Sequence, residues 1–309
     1  MRYFIVGDVH GHYDLLEKLL LDVGCSPRGR SFVPPDDLRI RFVGDLVDRG
    51  HQVRRCLECI RDMVEHGYAR TIVGNHELNL LSFCHSMPDG RPLRPHTPKN
   101  KKQVEATLRA FEHDEDELED YLLWMQDQPI VIEEAGFRMV HACWHDPDID
   151  YMRKHYPENK LNDRLLIDYA DLDTPAHICL NRMLSGVAIS LPEAYAFNDP
   201  DGHPRTELRV AWWNPMAGKT LHELDTKDLG LPNQEVPQEV LPQEDFAYPN
   251  TDPPLFLGHY CFEGPVGLLR PNVACTDFCV IQQGRLAGYL FDGEQTLNEK
   301  RWRLATSSR

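Results

Sequence analysis

RYFIVGDVHG, residues 2–11, decides how this chain is read. An apolar run from Arg2 to Val6 breaks at Gly7 into a turn that carries Asp8 and His10 and ends at Gly11. The pattern returns twice. Leu38 to Val43 leads into GDLVDRG (Gly44 to Gly50), and Ala69 to Val73 leads into GNHE (Gly74 to Glu77). Short apolar runs bounded by glycine read as buried strands. Between them, Tyr13 to Val23 places Leu15, Leu16, Leu19 and Leu20 at helical spacing, Val53 to Val64 reads as a second helix and Glu77 to Phe83 as a third. Alternating strands and helices predict a layered α/β fold with a partly parallel sheet. In such a sheet the functional crevice lies at the carboxyl ends of the strands. The three turns are therefore expected to converge.

The residues in those turns suit metal chemistry. Asp8 and His10 are two apart, so in extended chain both side chains can reach one cation. Asp45 heads the second turn, and its two oxygens can bridge two cations. Asn75 heads the third with a neutral oxygen. Oxygen donors mixed with imidazole suit Mn, Fe or Zn better than Ca or Cu(I). Further ligands are expected from His141, after Arg138-Met-Val, and His259, after Leu255-Phe-Leu-Gly. Two divalent ions bring four positive charges, and Asp8, Asp45 and a bridging hydroxide return three, so the centre keeps about +1 and suits a phosphate. Arg49 can clamp phosphate oxygens in a bidentate way. His76 can protonate a leaving oxygen, with Asp48 fixing its tautomer.

The rest of the chain says less. Residues 85–101 read as a loop, followed by helices near Gln103–Glu112 and Glu115–Gln126. Ile130–Glu133 and Phe137–Val140 flank Glu-Ala-Gly and suggest a hairpin. Residues 146–250 hold helix around Ile167 and Ile178, a strand at Leu208–Trp213 and an acidic Pro-rich stretch at 223–254. Arg91 to Lys102 carries two Arg and three Lys with no acid, which reads as a solvated loop or as a lid for an anionic substrate. Cys56/Cys59 and Cys275/Cys279 fit buried helix faces, and Trp144, Trp212 and Trp213 fit core packing.

Composition limits the function classes. The 309 residues are 41% hydrophobic and 27% charged, as in an ordinary globular chain. Acidic side chains number 49 against 33 basic, a formal −16, which argues against long nucleic acid as a partner. No apolar run is long enough to span a bilayer, so no membrane partner is expected. The N-terminus lacks a secretory signal pattern, and the nine scattered cysteines are expected as reduced thiols of a cytoplasmic protein.

The three motifs together resemble the signature of the calcineurin-like metallophosphoesterases. More narrowly, they are similar to the phosphoprotein phosphatase family, whose bacterial relatives include the symmetrical diadenosine tetraphosphatases and polynucleotide phosphatases. The resemblance is clear over residues 3–80. It implies a β-sandwich flanked by helices, a four-layer α/β/β/α arrangement, read here as one domain over 1–309 with insertions near 85–128 and 146–250. It also implies a dinuclear centre: Asp8 and His10 on the first metal, Asp45 on both, and Asn75, His141 and His259 on the second. Asp48 and His76 would be the acid pair and Arg49 a phosphate clamp.

The sequence departs from eukaryotic-type protein phosphatases in three places. Val73 stands where they have arginine, His141-Ala-Cys-Trp replaces His-Gly-Gly, and Asn272-Val-Ala-Cys-Thr-Asp lies where Ser-Ala-Pro-Asn-Tyr is expected. Two further phosphate-binding arginines are expected, for which Arg182 and Arg209 are the candidates. These departures bear on protein-phosphatase specificity and leave metal-dependent hydrolysis untouched. The sequence thus points to a phosphoester hydrolase with two divalent ions, Mn2+ first and Fe, Zn or Ni as substitutes. Its substrate is expected to be a phosphoprotein, as for a bacterial-type Ser/Thr phosphatase or broad phosphomonoesterase. The alternative is a nucleotide, as for a diadenosine tetraphosphatase or polynucleotide phosphatase. A non-catalytic scaffold would show eroded ligands, and none of the expected ligands is missing.

Overall fold

The computed structural model describes residues 1–134, 136–191, 195–198, 204–227 and 229–307. Two sheets form its centre. The first has five strands in the order Trp302–Thr306, Arg285–Phe291, Arg2–Val6, Leu38–Phe42, Ala69–Thr71. The last three run parallel, with Val6 opposite Phe42 and Phe42 opposite Thr71, so their carboxyl ends share one edge. The second has four strands in the order Val273–Cys275, Leu255–Leu257, Phe137–Met139, Ile132–Glu134. Leu255–Leu257 runs parallel to both Phe137–Met139 and Val273–Cys275. Neighbouring parallel strands therefore deliver His141 and His259 to the same end.

The sheets face each other across an apolar layer. Ile5, Val43 and Ile72 come from the first sheet or its strand ends, and Phe137, Met139, Phe256 and Ala274 from the second. Phe291 of the first sheet packs against both Phe137 and Phe256 of the second, with ring centroids 5.2 and 5.6 Å away. Strand alternation puts Leu255 and Leu257 on the opposite face, in the cluster that also holds Leu180, Met183 and Trp212. On the outer face of the first sheet, helices α1 (Tyr13–Asp22) and α2 (Val53–Glu65) bury Leu16, Leu20, Leu57 and Ile60. The architecture is the expected mixed α/β fold, with central sheets flanked by helices.

Local chemistry explains where elements differ from the sequence reading. Helix α3 is Asn75–Cys84. Helix α4 is Pro98–Ala110, starting inside the stretch read as a loop, because the Thr97 hydroxyl accepts the Asn100 N–H and Pro98 occupies the first turn. The expected strand Leu208–Trp213 shrinks to Glu207–Arg209. Trp212 lies just beyond it, fully buried, and its indole N–H donates to Ala142 O at 3.0 Å and to the Tyr260 hydroxyl at 2.8 Å. A helix at Asp146–His155 has no counterpart in the sequence reading. The expected hairpin forms, with Ile132–Glu134 antiparallel to Phe137–Met139; Ala135 in its turn lies outside the described residues. Trp144, Trp212 and Trp213 are all core residues, and no described helix is long and apolar enough to cross a membrane.

The cysteines need a correction. Cys56 and Cys59 do pack on the buried face of α2. Cys275 and Cys279 do not share a helix face: Cys275 ends a strand, and Cys279 is disulfide-bonded to Cys261. The Asp277 carboxylate accepts the backbone N–H groups of Cys261, at 2.5 Å, and Cys279, at 3.0 Å, and so gathers the two chain segments. The other seven cysteines are free thiols.

Phe291→Ala should empty space between the sheets and cost about 3–5 kcal/mol of stability. Urea unfolding followed by tryptophan fluorescence measures this; a loss well under about 1 kcal/mol would show that the two sheets do not depend on this aromatic layer.

Candidate metal centre

The ends of the parallel strands open into one cavity of about 300 Å³. Asp8, His10, Asp45, Arg49, Asn75, His76 and His259 line it, and Asp277 and Gln103 complete the wall. His141 is fully buried beside it, with its Nε2 3.3 Å from Asp45 Oδ2. Two groups of donor atoms are close enough to hold a cation: His10, Asp45 and His76, and Asp45, His141 and His259, each within 4.8 Å. Asp45 belongs to both. The arrangement is consistent with a dinuclear metal centre bridged by that carboxylate.

Hydrogen bonds to backbone carbonyls aim the imidazoles. His10 Nδ1 lies 2.9 Å from Val47 O, and His141 Nδ1 lies 2.7 Å from Val43 O. A carbonyl can only accept, so Nδ1 carries the proton in both rings and a neutral ring presents its Nε2 lone pair to the centre. His141 Nε2 then faces two acceptors, Asp45 Oδ2 and Asn75 Oδ1, the latter at 3.1 Å. Asn75 Oδ1 is also 2.7 Å from His259 Nδ1. Asp8 Oδ1 and His259 Nε2 are buried and have no hydrogen-bond partner among the described residues. Lone pairs facing one another and buried orphaned donor atoms are what a cation would satisfy. Asp8 belongs to neither tight group; its Oδ2 accepts the His259 N–H at 3.0 Å.

The electrostatics follow from crowding. Burial, then the neighbouring His76 charge, pushes the His10 imidazole down to about 3. Burial and the nearby Arg209 charge hold His259 well below the usual imidazole range. Burial also lowers His141, but Asp45 beside it outweighs that and raises it. Burial alone would raise the Asp45 carboxyl; His141 and His76 instead hold it well below its ordinary value. Burial together with Asp277 and Asp45 pushes Asp8 well up. Asp8, Asp45 and Asp277 crowd one cavity with little exposure, and that calls for positive charge.

His76 Nδ1 lies 2.7 Å from Asp48 Oδ2, both side chains buried, so the proposed acid pair is in contact. Arg49 is on the cavity wall. The two further arginines fare differently. Arg182 is held elsewhere, 3.4 Å from Asp148 and 3.3 Å from Glu244 and over the Phe246 ring, and does not line the cavity. Two carboxylates satisfy it where it stands. Arg209 does not line the cavity either, but its charge reaches His259. Of the basic segment, Arg91 pairs with Asp89, while Arg94 donates to Gln103 Oε1 at 2.7 Å and so touches the cavity wall indirectly.

Glu77 closes the GNHE motif, and its task shows only in the fold. It is buried, and its carboxylate accepts N–H groups from Asp45 (2.8 Å), Leu46 (2.8 Å), Val47 (3.3 Å) and Gly74 (2.7 Å). The available signal was its position, three residues after a helix N-cap, where a glutamate side chain reaches back to free backbone N–H groups. Gly74 is equally constrained, since a Cβ there would sit 2.2 Å from Asp45 Oδ1. Of the eight non-glycine residues with left-handed φ among the described residues, His10, Asp45, Arg49, His259, Cys261 and Cys279 line the cavity and Asp48 holds His76, leaving only Asn159 elsewhere.

Glu77→Gln would turn amide hydrogens toward backbone N–H groups that need an acceptor. It should cost about 1.5–3 kcal/mol or more, read by urea unfolding, and should weaken manganese binding in calorimetry. Unchanged stability with unchanged binding would remove Glu77 from the support of Asp45.

Residues 1–179 match the family described as calcineurin-like phosphoesterase. A symmetrical bis(5'-nucleosyl)-tetraphosphatase of Pasteurella multocida (strain Pm70) is 26% identical over 275 residues, covering 84% of this chain and 83% of that protein. Its counterpart in Actinobacillus pleuropneumoniae serotype 5b (strain L20) is 33% identical over 144 residues, covering 46% of this chain and 45% of that protein. The crystal structure of a cold-active protein-tyrosine phosphatase of a psychrophilic Shewanella species aligns with a TM-score of 0.48 and 16% identity, over 96% of this chain and 80% of that one. With the family match running over 179 of 309 residues and a candidate dinuclear site at the shared strand ends, this chain belongs to the calcineurin-like phosphoesterases and is a metallophosphoesterase.

Proposed function

We propose that this protein hydrolyses dinucleoside polyphosphates or a related nucleotide, using two divalent ions, Mn2+ first among them. The chain is read as one metallophosphoesterase domain over 1–309 with insertions near 85–128 and 146–250. Asp8, His10 and Asp45 hold the first ion, and Asp45, Asn75, His141 and His259 the second. The observation that carries the reading is the position of Asp45, common to both groups of donor atoms. When bound, such a metal pair activates water and neutralises the charge of the reacting phosphoryl group.

The chain's own residues supply the rest. Arg49 on the cavity wall binds phosphate oxygens and orients phosphorus for in-line attack. Water forms the new P–O bond while the bond to the leaving oxygen breaks. The electron pair goes to that oxygen, which takes a proton from the ring nitrogen of His76 not bound to Asp48. Asp48 keeps the ring aimed and balances its charge.

The substrate ranking reverses the expectation from the motifs, which put phosphoproteins first. The relative that matches along 84% of this chain is named for a dinucleoside tetraphosphate. The formal −16 charge weighs against long polynucleotides but not against a small nucleotide drawn into a metal-loaded cavity. Manganese-loaded enzyme should show at least tenfold higher kcat/KM on diadenosine tetraphosphate than on a phosphoserine peptide. The reverse ratio would return the phosphoprotein reading to first place.

Metal removal gives a second test. Dialysis against a chelator should abolish turnover, and manganese should restore it. Asp45→Asn should lower the manganese content measured on the isolated protein and reduce kcat by about 10²-fold or more. Full activity with normal metal content in that variant would break the bridging role.

A further inference from the structure

Thr107 is fully buried in α4, which no motif points to, and its hydroxyl is committed to one residue only. It accepts the Asp48 backbone N–H at 2.9 Å and lies 2.5 Å from Asp48 Oδ1. A backbone N–H can only donate, so the single hydroxyl proton goes to the carboxylate. One oxygen atom thus pins the main chain and the side chain of the same residue. Asp48 needs pinning, because its φ of 66° is left-handed, which side-chain-bearing residues rarely adopt. With Oδ1 held by Thr107, Oδ2 is left to meet His76 Nδ1 at 2.7 Å and so fixes where that ring nitrogen sits. One turn earlier on α4, Gln103 lines the cavity, so this face of the helix abuts the site.

We propose that Thr107 is a positioning residue: through Asp48 it orients the His76 imidazole toward the leaving oxygen. This rests on the acid role given to His76 above. Valine matches threonine in shape but offers no hydroxyl. Thr107→Val would leave both a buried N–H and a buried carboxylate oxygen of Asp48 without a partner, free to swing. Serine keeps the hydroxyl and drops only the methyl group.

The test compares wild type, Thr107→Val, Thr107→Ser and His76→Asn by two measurements, proton NMR on the diamagnetic zinc-loaded proteins and kinetics on the manganese-loaded ones. The first is the downfield proton resonance of the His76 Nδ1–H bonded to Asp48, assigned by its loss in His76→Asn. It should shift or vanish in Thr107→Val and return in Thr107→Ser. The second is kcat and KM on phosphate monoesters whose leaving groups range from nitrophenol to simple alcohols. Thr107→Val should lose tenfold or more in kcat on the alcohols and under threefold on nitrophenyl phosphate, with KM little changed. Thr107→Ser should stay within threefold of wild type throughout. An unmoved resonance in Thr107→Val, or equal losses on all leaving groups, overturns the proposal. If Thr107→Val does not fold, Thr107→Ser decides: loss of the resonance or a steeper leaving-group dependence in that variant refutes a role carried by the hydroxyl. Should His76→Asn itself show no steeper dependence, the acid reading of His76 fails. Should it show one while Thr107→Val does not, only the role of Thr107 falls.

Discussion

Everything at the metal-binding end hangs on one buried carboxylate. Glu77 gathers N–H groups from the turn after Leu38–Phe42 and from the turn after Ala69–Thr71. Charge-assisted bonds of this kind are shorter and about twice as strong as neutral ones. They convert two independent strand ends into one rigid cradle. Asp45 sits in that cradle, and its Oδ1 in turn accepts the His76 N–H at 2.9 Å. Gly74 makes the closeness possible, because any Cβ would occupy the space of the Asp45 carboxylate. The cradle therefore needs both a charge and a missing side chain.

Given that cradle, the imidazoles are ordered from the outside. Carbonyls of Val47 and Val43, fixed by their own places at strand ends, choose the tautomers of His10 and His141. The lone pairs that result meet Asp45 and Asn75 at distances too short for water between them. Backbone held in left-handed conformations at His10, Asp45, Asp48, Arg49 and His259 adds cost, about 1–3 kcal/mol at each non-glycine site. Such cost persists only where surrounding packing over-determines it, and here the two-sheet core stands directly beneath. Stability in the aromatic layer thus underwrites a site that is itself unfavourable.

Much of this could be read in advance for a definite reason. The first three turns lie within 80 residues, each behind a strand, so strand polarity alone predicted where Asp8, His10, Asp45, Asn75 and His76 would meet. His141 and His259 could be named from the apolar strands they follow, but which metal each serves needed the resemblance, because a lone histidine at a strand end carries no local signature. The arginines failed that way of reading. Arg182 looks like any phosphate ligand until Asp148 and Glu244 are seen to hold it. The prolines and polar residues of segment 85–101 suggest a loop, yet Pro98 starts a helix there, since proline is well placed in a first turn. No cysteine spacing signals the disulfide, because Asp277, and not any spacing rule, gathers the segments of Cys261 and Cys279.

The sequence by itself determined the layered α/β class, the glycine-flanked turns and the donor types that suit divalent metals. Those properties are local: strand period, turn chemistry and the hardness of an oxygen or imidazole donor depend on neighbours along the chain. Tertiary structure alone decided which donors share Asp45, which ring nitrogen faces the centre, and that helix α4 reaches Asp48 through Thr107 from 59 residues away. These are relations between segments that touch only after folding. Their physical origin is packing: two sheets pressed into register, and buried polar groups forced to take whatever partner the packing supplies.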